Sequence, residues 1–248
     1  MKRVLLSLFV FVAICFAVHA QEAVAKKNPW AFEPDPNLPD VLILGDSISI
    51  GYTVPVRKLL EGKANVWRPM NAKGDGPENC GNTKMGLKNI DRFLDEKRLD
   101  GRKWAVIQFN WGLWDVTYRN PQNQDNKGER DKVKGGVSFT PEQYGENLEK
   151  LVERLKKTGA KLIWANISYI PDGEAARVMG DDAKYNAVAA AIMKKHGIPI
   201  NDIYGLTSKM EPKLFAGPGD VHYKPEGSKI IAEQTAEIIE KRLAEKSE

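Results

Sequence analysis

A short run of apolar residues, Asp40 to Leu44, stops at Gly45-Asp46-Ser47, and helical sequence follows it. Continuous apolar runs of this length suit strands buried on both faces of a parallel sheet. The pattern recurs along the chain. Strands are expected at Ala64–Trp67, Trp104–Phe109, Lys161–Ile167 and Ile198–Ile203, with helices at Val54–Leu60, Lys84–Glu96, Thr140–Lys157, Asp181–His196 and Pro225–Leu243. Thr140-Pro141-Glu142-Gln143 is a strong helix start, with an N-cap threonine, proline in the first turn and glutamine at the capping-box position. Strands alternating with helices imply a parallel sheet of about five strands with right-handed crossovers and helices on both faces, a three-layer α/β/α sandwich.

Three segments fall outside that rhythm. Lys2 and Arg3 precede an apolar stretch from Val4 to Val18, and Val18-His19-Ala20 offers small residues for cleavage. Residues 1–20 therefore read as a secretory signal peptide, too short to span a bilayer comfortably, which places the mature protein outside the cell or in the periplasm. Residues 21–39 contain four prolines and read as an extended lead-in to a single domain at 40–248. Residues 118–137, rich in Asn, Gln, Lys, Asp and Gly, lack an apolar period and read as a polar surface-loop insertion after the third strand.

The formal charge of +4 falls to +2 without Lys2 and Arg3, which gives no reason to expect nucleic acid or an acidic membrane as partner. Removal of the leader leaves Cys80 as the single cysteine, so no internal disulfide is expected. Cys80 is read as a small packed residue. No His/Cys cluster has metal-ligand spacing, and no metal or cofactor is expected.

Ligands of open parallel sheets bind beyond the carboxyl ends of the strands. Ser47 follows the first strand there, and the free N–H groups of a helix start can stabilise negative charge beside it. A serine hydroxyl needs a base. Of the three histidines, His19 lies in the leader and His196 ends a helix, where it suits the helix dipole. His222, in Gly219-Asp220-Val221-His222, is the remaining candidate, with Asp220 the nearest carboxylate to orient it. A histidine base acts only when neutral, so acylation is expected to fall on acidification.

Gly45-Asp46-Ser47 after the first strand, a glycine motif after the second, Gly112-Leu113-Trp114-Asp115 after the third and Asp220-Val221-His222 before the last helix resemble the motif blocks of SGNH, or GDSL, hydrolases. The resemblance implies a flavodoxin-like sandwich and ester hydrolysis through an acyl-serine, with Ser47, His222 and Asp220 catalytic. That family usually places its Asp three residues before the His, where this chain has Gly219. The resemblance also implies an oxyanion hole from the Ser47 N–H, a glycine N–H and an asparagine side chain. Gly81 is the expected glycine, with Gly74 and Gly76 in competition. Trp114 stands where the asparagine would align, and Asn110 is the alternative donor. Asp46, Trp111 and Trp114 are candidates for substrate contact, the tryptophans as a wall for a sugar face.

The resulting expectation is an exported serine esterase, a carboxylic ester hydrolase acting on a small or polysaccharide ester, with short acyl groups on carbohydrate favoured. A lipase or thioesterase is the second reading. A non-catalytic carbohydrate-binding protein on the same fold is the third. Oligomeric state is not legible.

Overall fold

The computed structural model describes residues 28–245. The expected leader at 1–20 and the first residues of the lead-in lie outside them. Five parallel strands form the central sheet: β1 (Asp40–Leu44), β2 (Asn65–Trp67), β3 (Trp104–Phe109), β7 (Lys161–Ala165) and β8 (Ile200–Asn201), in the order β2-β1-β3-β7-β8. Every residue of β1 is buried, as a strand covered on both faces requires. Helices α1 (Ser47–Leu59) and α6 (Pro225–Ala244) pack together, while α2 (Thr83–Leu94), α3 (Pro141–Lys156) and α4 (Asp181–His196) form a second packed series. A short α5 (Ile203–Thr207) follows β8.

Local chemistry accounts for several boundaries. At α3 the capping box closes in both directions: Gln143 N donates to Thr140 Oγ1 at 3.3 Å, and Thr140 N donates to Gln143 Oε1 at 3.1 Å. Helix α1 begins at Ser47, seven residues before the expected start at Val54. Gly51 and Pro55 lower its intrinsic propensity, but the apolar face of Ile48, Tyr52 and Val56 is buried in the core and tertiary packing overrides that weakness.

Residues 118–137 depart from the surface-loop expectation. They form a small antiparallel sheet from β4 (Tyr118–Asn120), β5 (Glu129–Arg130) and β6 (Gly136–Val137), in the order β5-β4-β6. With strands this short, no apolar alternation develops for a sequence reading to detect. Polar bonds fasten the segment to its surroundings. Asn82 Nδ2 donates to Gln124 O at 3.1 Å, and Tyr118 N donates to Ala176 O at 2.7 Å. The described part of the lead-in lies against β2, with Phe32 edge-on to Trp67 and Asn65 Nδ2 donating to Asp35 O.

Candidate active site

The turn after β1 delivers Ser47 to the carboxyl edge of the sheet as the first residue of α1. Asp46 caps that helix, its Oδ1 accepting from Ile48 N at 2.9 Å. The Ser47 N–H has no hydrogen-bond partner among the described residues. His222 arrives from the turn before α6, and its Nε2 lies 2.8 Å from Ser47 Oγ. Asp220 Oδ1 lies 2.6 Å from His222 Nδ1 and also accepts the His222 backbone N–H at 2.9 Å. One carboxylate oxygen thus holds both the ring and the backbone of the residue two positions on, the geometry of an Asx turn. The spacing of two rather than three residues is no obstacle to contact. Burial works against the charge on Asp220, but the His222 hydrogen bonds and the nearby charges of His222 and Arg177 hold its carboxyl below the usual value.

Gly219 has its own reason to be glycine. Its φ is +69°, and a Cβ there would lie 2.6 Å from the Gly173 carbonyl oxygen. The position one residue before Asp220 is therefore a backbone-to-backbone contact that locks the His222 turn against the loop after β7.

The expected oxyanion donors are differently disposed. Gly81 N donates to Asn79 Oδ1 at 2.9 Å, so this donor is already engaged. Asn110 sits at the end of β3, where its Nδ2 donates to Ala165 O at 2.7 Å; Ala165 is that amide's one acceptor among the described residues, leaving a second hydrogen uncommitted. The loops carrying these groups are joined to the serine turn. Cys80 N donates to Gly45 O at 3.1 Å and Asn110 N to Leu44 O at 3.1 Å. Cys80 is fully buried, its Sγ accepting from Gly45 N at 3.4 Å, and burial pushes its thiol up to about 11 despite the pull of Arg68. It packs against the serine turn as a neutral thiol.

Two expectations of substrate contact require correction. Asp46 is 2 % exposed and serves as a helix cap, with burial raising its pKa. Trp111 is fully buried, its Nε1 donating to Cys80 O and its ring pressed on Gly86, so it builds the wall's interior and offers no face to a sugar. Trp114, by contrast, is only half-buried against the core, so part of its ring is left to solvent and it stays a candidate for substrate contact. Tryptophan at a strand edge signals packing as readily as recognition, and spacing alone does not separate the two.

Two buried side chains absent from the sequence-based expectations position the site. Arg68, 1 % exposed at the end of β2, donates through Nη2 to Gly45 O at 2.8 Å and Glu78 O at 3.0 Å, and through Nη1 to Ser49 Oγ at 2.8 Å. It braces the serine turn against the loop after β2. A lone arginine at the carboxyl end of an apolar strand is the one sequence signal that points to it. Asp115, fully buried, accepts from both the backbone N–H and the hydroxyl of Thr83 and so ties the segment after β3 to the start of α2, close after Gly81.

Burial drives the Asp115 carboxyl up to about 7, against the Thr83 hydrogen bonds that favour its charge. The folded state therefore holds this proton more tightly than the unfolded chain. The resulting stabilisation is full below about pH 4 and is lost as pH rises through about 7. Between those limits wild type should lose on the order of a few kcal/mol relative to Asp115→Asn. Urea melts of both proteins across that range check this, and parallel pH profiles would contradict it.

No group of three or more His, Cys, Asp or Glu residues among the described residues could hold a metal ion. No described helix is long and apolar enough to cross a membrane.

Comparison with known proteins places the fold and the family. Curated protein sequences give no significant match. Solved structures do. A lipase/acylhydrolase from Enterococcus faecalis superposes with a TM-score of 0.61 at 17% identity, covering 85% of this chain and 100% of the other. The acetyl xylan esterase AlAXEase gives 0.60 at 12% identity, covering 81% and 99%. A single-substitution variant of an acetyl xylan esterase from Geobacillus stearothermophilus gives 0.57 at 16% identity, covering 83% and 94%. At these identities the likeness is one of fold. The model of the GDSL-like Lipase/Acylhydrolase family matches residues 43–230, from the strand before Ser47 through His222 into the last helix. The chain belongs to the GDSL-like lipase/acylhydrolase family.

Proposed function

We propose that the protein is an exported serine esterase that removes short acyl groups, acetyl foremost, from carbohydrate. The observation that carries the mechanism is the continuous hydrogen-bonded chain from Ser47 through His222 to Asp220. In acylation, His222 Nε2 takes the Ser47 Oγ proton as Oγ attacks the ester carbonyl carbon. The oxyanion that forms is met by the uncommitted Ser47 N–H at the α1 start and by the second amide hydrogen of Asn110. A charged oxygen is also a stronger acceptor than the Asn79 amide, so the Gly81 N–H turns to it from that resting partner. The intermediate collapses, the carbon–oxygen bond to the alcohol breaks, and Nε2 returns the proton to the departing oxygen. Water, deprotonated by His222, then attacks the acyl-serine and releases the acid. Asp220 keeps Nδ1 protonated throughout, so Nε2 remains the basic nitrogen.

Family membership supports ester hydrolysis, and two structural neighbours described as acetyl xylan esterases favour the acetyl-carbohydrate reading. The basic and apolar leader of residues 1–20 supports export. A panel of p-nitrophenyl esters of increasing chain length, with acetylated and deacetylated glycans beside it, tests the proposal. Turnover should be highest for acetate and fall steadily as the acyl chain lengthens. A rising profile would instead favour a lipase or thioesterase. Glycan binding without turnover of any ester would favour a non-catalytic protein.

A further inference from the structure

Behind the serine turn lies a small cavity at the carboxyl edge of the sheet. The start of α1 walls one side, and the ends of β3 and β7 with the residues that follow them wall the other. A water-sized sphere has about 10 Å³ in it, on the order of what one water molecule needs. The polar side chains lining it are Asp46, Ser49, Tyr52, Asn110, Asn166 and Ser168, and the rest of the wall is apolar.

Two of these groups are already spent. Ser49 Oγ donates to Asp46 O and accepts from Arg68 Nη1. Asn166 Nδ2 donates to Asp202 Oδ1, and its Oδ1 accepts from Tyr204 N. Three others are not. Asp46 uses Oδ1 to cap α1, but its buried Oδ2 has no partner among the described residues. The buried Ser168 Oγ has none there either. Tyr52 Oη accepts from Gln108 Nε2 at 3.2 Å, while Gln108 Oε1 is turned to Asn201 Nδ2 at 3.0 Å. The amide therefore presents nitrogen to the phenol, and the phenol hydrogen has no acceptor among the described residues. Tyr223 Oη, also buried and unpartnered there, could satisfy Ser168 after a small shift, but that would still leave the Asp46 oxygen bare. A buried carboxylate oxygen without a hydrogen bond is a costly arrangement.

Donors and acceptors balance around a single water. It donates to Asp46 Oδ2, accepts the Tyr52 hydrogen and shares a bond with Ser168 Oγ, about the three bonds usual for internal water. We propose that Asp46, Tyr52 and Ser168 bind an internal water that pins the serine turn to the loop after β7. The three are thereby positioning residues for Ser47 and for Asn110, which lines the same cavity. That loop also meets the His222 turn, through Gly173 and Gly219, so nucleophile and base share one anchor. The positioning role rests on the esterase reading above; the water site does not.

The test joins crystallography at atomic resolution with kinetics. Wild type should show one water within hydrogen-bond distance of Asp46 Oδ2, Tyr52 Oη and Ser168 Oγ. Tyr52→Phe and Ser168→Ala each remove one of its partners and should displace it. Both should lower kcat on p-nitrophenyl acetate about tenfold with KM nearly unchanged, because the attacking oxygen is misplaced and binding is not. A dry cavity in wild type, or a protein group bonded directly to Asp46 Oδ2, overturns the water site. Water in wild type with kcat unchanged in both variants, even at a lower melting temperature, overturns the positioning role and leaves the esterase standing. Water in wild type with no ester turned over by it overturns the esterase reading and leaves the water site.

Discussion

Ser47→Ala should lower kcat for ester hydrolysis by roughly 10⁴- to 10⁶-fold while leaving the melting temperature nearly unchanged. Among the described residues the Ser47 hydroxyl is the group that meets His222 Nε2, and removing it leaves no oxygen for that base to activate. The backbone remains intact, because Asp46 rather than Ser47 caps α1. His222→Ala should cost a similar factor, and the double variant little more than either single change, since the two side chains act as one unit. Asp220→Ala should be milder by about a hundredfold, because the carboxylate orients and stabilises but does not react. Acetate release by purified variants, with circular dichroism as the folding control, measures all four. Comparable activity in Ser47→Ala would remove the serine mechanism altogether.

Arg68→Met should be the most destabilising single change near the site, by about 3–5 kcal/mol. That corresponds to a drop in melting temperature of roughly 6–20 °C for a domain of this size. The substitution keeps an unbranched chain but deletes the donors on which the Gly45 and Glu78 carbonyls depend, all in a buried setting. It also withdraws a positive charge from beside buried Asp46, which then favours its neutral form more strongly. Because the lost bonds hold the serine turn, kcat should fall in the protein that remains folded. Arg68→Lys separates charge from shape: a lysine restores the cation but cannot span Nη1 and Nη2 partners at once. Urea melts should place it between wild type and Arg68→Met. A loss below about 1 kcal/mol in Arg68→Met would show that water or backbone shifts replace the arginine.

Where each part of the molecule is legible in sequence depends on the range of the interaction that makes it. The central strands β1, β3 and β7 announce themselves because burial on both faces leaves largely apolar runs, whereas β8 is two residues with Ile200 exposed, and the α3 start is explicit in four consecutive residues. Ser47 and His222 can be paired because a nucleophile needs a base and the chain offers one histidine in a suitable turn. Beyond that, local pattern runs out. Whether Trp111 faces a ligand or the core depends on Gly86 of another helix, and whether the Gly81 N–H is open depends on the rotamer of Asn79. Asp46 looks like an exposed acid beside a nucleophile until its capping bond is seen. Arg68 and Arg177 carry charge in ordinary surface-like composition, and only tertiary placement reveals that both are interior. The small sheet at residues 118–137 escapes for a related reason: two- and three-residue strands fixed mostly by polar bonds leave no periodic trace.

The packing of α1 against α6 joins the first helix of the domain to the last, and Ser47 and His222, the proposed nucleophile and base, sit at the entrances to those two helices, 175 residues apart. Catalytic competence therefore cannot appear in a partly made chain. A growing polypeptide that has already built β1, β3 and β7 still lacks the imidazole until its terminal helix seats beside the initial one. Ester turnover becomes a reporter for closure of the domain's two ends, and any event that frays α6 (proteolytic trimming, a weakened helix–helix seam) should extinguish activity before the sheet itself comes apart.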